Sequence, residues 1–199
     1  MKLVFSPASP YARKCMAVAI ETGVVDRIEK VSADASKPLQ GINPLSPLGK
    51  LPSLETDEGD LLFDSSVITE YFDTQHSGYK LYPAEPRARF KALTLMALGN
   101  GIADCSFLIV HEGRINGERS PTWGERQWNG VRKATEALEK DISQLDGDVH
   151  IGHFAIGAAL GYLDLRHDDK NWRDGRPKLA EWFAEFSKRP AMVQTVPVG

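Results

Sequence analysis

The 199-residue sequence predicts two packed units, a small α/β layer built on a mixed sheet and then an all-helical layer. Three observations point that way. Up to residue 76, apolar runs of strand length alternate with stretches of helical period. Residues 77–86, SGYKLYPAEP, mix glycine, proline and polar residues in the manner of an interdomain linker. From 87 to 199 the strand patterns stop and long helical ones replace them.

In chain order, Lys2–Phe5 reads as a strand that stops at Ser6-Pro7. Pro10 to Thr22 has helical spacing, with Ala12, Cys15, Met16, Ala19 and Ile20 on one face and Gly23 as the stop. Arg27 to Ala33 alternates as a strand, and Leu51–Thr56 with Leu61–Phe63 forms a hairpin around DEGD. Ser65–Gln75 is a second helix through Val67, Ile68, Tyr71 and Phe72. Beyond the linker, Arg87 to about Glu112 is a long helix, followed by a loop marked by Gly113, Gly117 and Pro121. Glu125–Leu145 is the next helix, with Glu136 and Lys140 in the favourable i,i+4 order. His153–Arg166 is apolar and small all round, which predicts a helix buried on most sides. Lys178–Lys188 makes a further helix, ended by Arg189-Pro190.

Several function classes drop out on composition. The net charge is −3 and the lysines and arginines are scattered, which argues against nucleic-acid binding through a basic surface. The N-terminal segment develops no signal-peptide core, and no apolar run approaches the length of a membrane span. Cys15 and Cys105 lie far apart with no metal or dithiol spacing, which suits a reducing compartment. A soluble, cytoplasmic chain acting on something small is the expectation.

Three short segments carry chemistry. Ser9-Pro10 is a helix start, with the serine oxygen as cap and proline where its missing N–H costs nothing. Such a start favours an anion, and a hydroxyl there can donate to a thiolate and lower a thiol's pKa. Ser9-Pro10-Tyr11-Ala12 also has the outline of a Cys-Pro-Tyr-Cys redox motif without its sulfurs. In SPLGKLPSLE, residues 46–55, Leu51-Pro52 precedes a strand, and a cis bond there leaves backbone groups free for an extended ligand. In FDSSV, Asp64, Ser65 and Ser66 open another helix, fit for a carboxylate, with Asp64 able to hold an ammonium. Plain helix capping and an ordinary trans turn account for each segment taken alone.

Their order is more specific. Ser9-Pro10-Tyr11 with Arg13, then Ser46-Pro47-Leu48-Gly49-Lys50-Leu51-Pro52, then Asp64-Ser65-Ser66 resembles the cytosolic glutathione S-transferase superfamily, in the flavour of its bacterial serine-type members. The resemblance runs over nearly the whole chain, through the linker to ALGYLDLR. It implies a thioredoxin-like glutathione-binding domain over 1–76, a linker over 77–86 and an all-helical domain over 87–199 that shapes the acceptor site. By the family pattern Ser9 hydrogen-bonds the glutathione sulfur, Leu51 before a cis Pro52 pairs with the cysteinyl part, and Asp64 and Ser65 take the γ-glutamyl end. Lys37 or Lys50 meets the glycyl carboxylate. Phe5, Phe107 and His111 fall where the family builds its acceptor pocket. The family also implies a homodimer; on the long helix Asp104 then either reaches the γ-glutamyl ammonium across the interface or belongs to a solvated face.

Two departures stand out. Ser46 replaces the usual Asn before the Pro-x-Gly-Lys run, and His150 and His153 stand where the family places a Ser/Thr cap and an Asp. No third ligand lies near that histidine pair in sequence, so no metal is expected. The implied activity is transfer of glutathione, as co-substrate, to a small electrophile in a detoxifying reaction. Isomerisation and peroxide reduction use the same residues. A non-catalytic interaction or stress-response protein with a degenerate site is the alternative from another class.

Overall fold

The computed structural model describes residues 1–33, 46–117 and 120–199. Among the described residues four strands form one mixed sheet in the order β2-β1-β3-β4, where β1 is Lys2–Phe5, β2 Glu29–Ser32, β3 Ser53–Glu55 and β4 Leu61–Leu62. β1 runs parallel to β2 and antiparallel to β3, and β3 runs antiparallel to β4. The register sets Val4 opposite Ser53 and Leu54 opposite Leu62. The C-terminal ends of β1 and β4 and the N-terminal end of β3 therefore meet at one end of the sheet. Helices α1 (Pro10–Glu21) and α2 (Ser65–Thr74) both start from that end.

The second layer holds α3 (Pro86–Asn116), α4 (Pro121–Lys140), α5 (Ile151–Arg166), α6 (Pro177–Phe186) and the short α7 (Pro190–Val193). Every residue of α5 from Ile151 to Leu163 is buried, as its unbroken apolar composition predicts. α3 packs on α4 and α5, and α1 bridges the layers by packing on α2, α5 and α7. Gly99 makes the α3–α5 crossing close, since a methyl there would press into the backbone of Ala155 and Ile156. Leu3, Ile68, Phe72, Ile151 and Phe154 share one core between sheet and helices. A second core within the helical layer gathers Ile102, Val131, Leu160, Trp172 and Leu179.

Four boundaries differ most from the sequence expectation. α3 continues through Gly113 and stops at Gly117, whose φ of 70° is a left-handed value that favours glycine. One interior glycine costs a helix only about 1 kcal/mol, which packing overrides. α4 begins at Pro121 rather than Glu125, because Ser120 Oγ accepts the N–H of Trp123 at 3.3 Å. It ends at Lys140, and Ile142–Leu145 is a separate 3₁₀ turn. Pro190 opens α7 instead of closing the chain's helical part. α3 is also long and apolar enough to span a membrane by length and composition, although no continuous apolar run is visible. Its polar residues, Thr94, Asn100 and Asp104 among them, interrupt the run without lowering the average much, and one side of the helix is taken by α4 and α5.

Candidate functional site

Ser9 sits half-buried in extended backbone between β1 and α1, and its Oγ accepts the N–H of Ala12 at 3.3 Å. This is the cap that Ser-Pro predicts. A hydroxyl also owns a proton, and among the described residues that proton has no acceptor. Capping and donating to a ligand are therefore compatible at Ser9.

Tyr11, two residues on, is not free to act as the donor. Its hydroxyl donates to Asp104 of α3, and burial, with that bond second, pushes its pKa up. Cys15 lies in the core with no exposure; its thiol reaches Ser65 O at 3.7 Å, and burial pushes its pKa up to about 12. The one thiol on α1 is thereby kept unreactive and ties α1 to the start of α2.

The Leu51-Pro52 bond is cis and directly precedes β3, beside the end of β1. Gly49 turns the chain into it with a φ of 64°. Lys50 is exposed on this turn, and Lys37 lies outside the described residues. Asp64 is exposed and caps α2 by accepting the N–H of Ser66 at 2.8 Å; Ser65 is buried. Ser9, Leu51, Pro52, Asp64 and Ser65 are thus brought to the same end of the sheet by the strand register.

A buried lysine lies behind this cluster, at a position the sequence does not single out. Lys14 is 1% exposed, and its Nζ donates to Asn100 Oδ1 at 2.8 Å. Asn100 Nδ2 in turn donates to Ser66 Oγ at 3.3 Å, so α1, α3 and the start of α2 are joined through one amide. Burial pushes the Lys14 pKa down, while the charges of Cys15, Asp64 and Asp104 act against that shift. The signal in the sequence was slight: Arg13-Lys14 interrupts a helix flanked by layers on both sides, leaving no polar face for a lysine.

Phe107 lies edge-on to Tyr11, with ring centroids 6.5 Å apart, and stacks on His111 at 5.0 Å. The structure joins these two acceptor candidates in one aromatic run along α3. Phe5, the third, ends β1 and packs partly buried against the core, and no ring contact ties it to them among the described residues. Asp104 begins the same run, engaged by Tyr11 within its own chain. His150 and His153 form a reciprocal cap on α5: Gly152 N–H donates to His150 Nδ1 at 3.2 Å, and His150 N–H to His153 Nδ1 at 3.1 Å. His153 Nε2 donates to Leu145 O at 3.2 Å, so both of its ring nitrogens are used.

Comparison with known proteins gives a consistent result. Family models match as "Glutathione S-transferase, N-terminal domain" over residues 8–75 and "Glutathione S-transferase, C-terminal domain" over 121–185. The chain is 30% identical over 204 residues to the "Uncharacterized GST-like protein YibF" of Escherichia coli K12, spanning 99% of this chain and 98% of that one. A glutathione transferase family member from Pseudomonas fluorescens Pf-5, crystallised with bound glutathione, is 39% identical with a TM-score of 0.94, covering 100% of this chain and 99% of the other. A crystal structure of a family member from the same strain, with bound S-(propanoic acid)-glutathione, is also 39% identical, with a TM-score of 0.91 and full coverage of both chains.

Proposed function

The chain belongs to the glutathione S-transferase superfamily, in which its thioredoxin-like layer and helical layer are the shared fold, and on that premise we propose that it is a serine-type glutathione transferase acting on a small electrophile. The observation that carries the reading is Ser9: a helix-capping hydroxyl whose proton is unclaimed, at the end of the sheet where Leu51-Pro52 and Asp64-Ser65 converge.

Free cysteine thiols have a pKa of about 8.5, so at neutral pH most glutathione is protonated. Ser9 donates to the thiolate, and the positive end of α1 adds to that stabilisation. Tyr11 cannot compete for the role, because its proton is given to Asp104. The Leu51 backbone pairs with the cysteinyl part of the peptide. Asp64 holds the γ-glutamyl ammonium, while the first N–H groups of α2 and the Ser65 hydroxyl receive its carboxylate. Lys37 or Lys50 meets the glycyl carboxylate. The thiolate attacks an acceptor lying along Tyr11, Phe107 and His111, shielded from water and near attack distance.

The working form in this reading is a cytoplasmic homodimer. An exposed stripe on α3, Phe90, Thr94, Ala97, Gly101, Asp104 and Leu108 at helical spacing, lies beside exposed Val67 of α2 and supports an interface there. Calorimetric titration with glutathione tests the assignment of the peptide's ends. Asp64→Ala is expected to weaken binding by about 1.5–3 kcal/mol, the scale of a charge-assisted hydrogen bond. Unchanged affinity would remove Asp64 from the site, and no binding by the parent protein would turn the reading to the non-catalytic interaction protein.

A further inference from the structure

The link from Lys14 through Asn100 to Ser66 has a direction, and the direction leaves one proton free. A lysine nitrogen bears N–H groups and serves as a donor. An amide presents an oxygen on one side and N–H groups on the other, and its partners decide which way round it sits. The amide oxygen of Asn100 therefore faces Lys14 Nζ, at 2.8 Å, and its nitrogen faces Ser66 Oγ, at 3.3 Å. Among the described residues Asn100 is the only hydrogen-bond acceptor of Lys14, and at 1% exposure bulk water does not compete for it. Ser66 Oγ is thus held as an acceptor.

The other polar atoms of Ser66 are committed as well. Its N–H donates to Asp64 Oδ1 at 2.8 Å, and its carbonyl oxygen accepts Thr69 Oγ1 and the Tyr82 hydroxyl, each at 3.1 Å. What stays open is the hydroxyl proton, for which Ser66 has no acceptor among the described residues. The side chain is only half-buried, so a ligand can reach that proton, on a hydroxyl whose place three neighbours fix. A hydroxyl that already accepts a hydrogen bond is a stronger donor, because bonds in a chain polarise one another. An anion is its strongest acceptor. The same residue holds Asp64 through its N–H, so a cation on Asp64 and an anion on Ser66 Oγ would lie side by side. That pairing is the head of an α-amino acid.

We propose that Ser66 donates its hydroxyl to the α-carboxylate of the γ-glutamyl residue, with Asn100 and Lys14 as positioning residues that keep its proton free for that bond. The proposal rests on the glutathione-transferase reading and adds a binding residue to its γ-glutamyl end, where Ser66 acts beside Ser65. Lys14 and Asn100 touch no part of the peptide in this account. Their effect on binding passes through Ser66: if the amide turned round, its oxygen would claim the serine proton and the carboxylate would lose its donor.

Calorimetry with three peptides, titrated to millimolar concentration, tests this: glutathione, glutaryl-Cys-Gly, which lacks the ammonium, and 4-aminobutyryl-Cys-Gly, which lacks the α-carboxylate. Ser66→Ala, at a helix position that alanine suits, should weaken glutathione and glutaryl-Cys-Gly by about tenfold or more, the scale of a charge-assisted hydrogen bond. It should change 4-aminobutyryl-Cys-Gly by less than about twofold and leave the pKa of the bound glutathione thiol where it is. Lys14→Met, an apolar exchange of similar length in a buried place, releases the amide and should weaken glutathione by about two- to fivefold. In the Ser66→Ala background the same exchange should cost less than about twofold more, because no hydroxyl is left to orient. Asn100→Asp keeps a partner for Lys14 but accepts the serine proton, and should weaken glutathione in the same direction as Ser66→Ala. Unchanged glutathione affinity in Ser66→Ala would overturn the proposal. So would an equal loss for all three peptides, which would mark a packing role at the start of α2, or additive losses from Lys14→Met and Ser66→Ala. If glutathione binds the parent protein and Ser66→Ala binds it as well, the transferase reading stands and this assignment falls. If none of the three peptides binds the parent, both fall.

Discussion

Replacing His150 by serine should flatten the acid side of this protein's stability curve. His150 caps α5 through an unprotonated Nδ1, so the cap exists only while the ring is neutral. Burial, with the neighbouring His153 second, lowers its pKa from 6.5 to about 4. The folded state therefore resists a proton that the unfolded chain accepts. Below pH 6.5 the unfolded state binds more protons, so this contribution is full above 6.5 and is lost as the pH falls towards 4. For a fully buried ring the loss between pH 7 and 5 would be about 2 kcal/mol; His150 is only half-buried, and solvent screening reduces that to about 1 kcal/mol. In a chain of this size that is about 2–4 °C of melting temperature. The His150→Ser variant keeps an acceptor at the cap without a titrating group. Thermal unfolding followed by circular dichroism at pH 7, 6 and 5 should show the variant losing about 2–4 °C less than the parent. His153, whose pKa is also lowered by burial, leaves a residual slope in both. Parallel acid limbs in the two proteins would refute the assignment of this titration to the cap.

Two further outcomes are expected. Light scattering at micromolar concentration should return about twice the 22.0 kDa chain mass, and a monomer mass would defeat the interface drawn on α2 and α3. A thiol reagent at pH 8 should leave Cys15 unmodified in the native protein, because its thiol is fully buried with a pKa of about 12, and should reach it only in denaturant; rapid native labelling of Cys15 would show that α1 opens against α2.

The layers, and the gathering of Ser9, Leu51-Pro52 and Asp64-Ser65 at one end of the sheet, could be read from the chain because they depend on local signals. Ser9-Pro10 and Asp64-Ser65-Ser66 open helices wherever they stand, and the strand order brings those openings together. Ser120-Pro121 carries the same signal as Ser9-Pro10, yet it lies in a Gly- and Pro-marked stretch whose composition suggests a loop, so α4 starts four residues before the expected Glu125. The histidine cap on α5 shows how position outweighs residue type: any short side chain with an acceptor can serve there if it stays neutral or anionic. Local pattern could not disclose the Lys14–Asn100–Ser66 link or the Tyr11–Asp104 bond. Each joins elements far apart in sequence through the far end of a long side chain. Helical period says which face a residue occupies, not what lies opposite it.

The central claim is that Ser9 stabilises another molecule's thiolate. Its direct test is the ultraviolet absorbance of the bound thiolate, titrated against pH in the parent protein and in Ser9→Ala. Loss of the hydroxyl should raise the bound thiol's pKa by about one to two units, equivalent to roughly 1.5–3 kcal/mol, and slow conjugation by about ten- to a hundredfold near neutral pH. Glutathione affinity should stay within a few fold, since the charged ends of the peptide are held elsewhere, and much of the rate should return at alkaline pH. An unshifted titration in Ser9→Ala would mean that Ser9 only caps α1, and that the N–H groups of the helix start stabilise the thiolate without it.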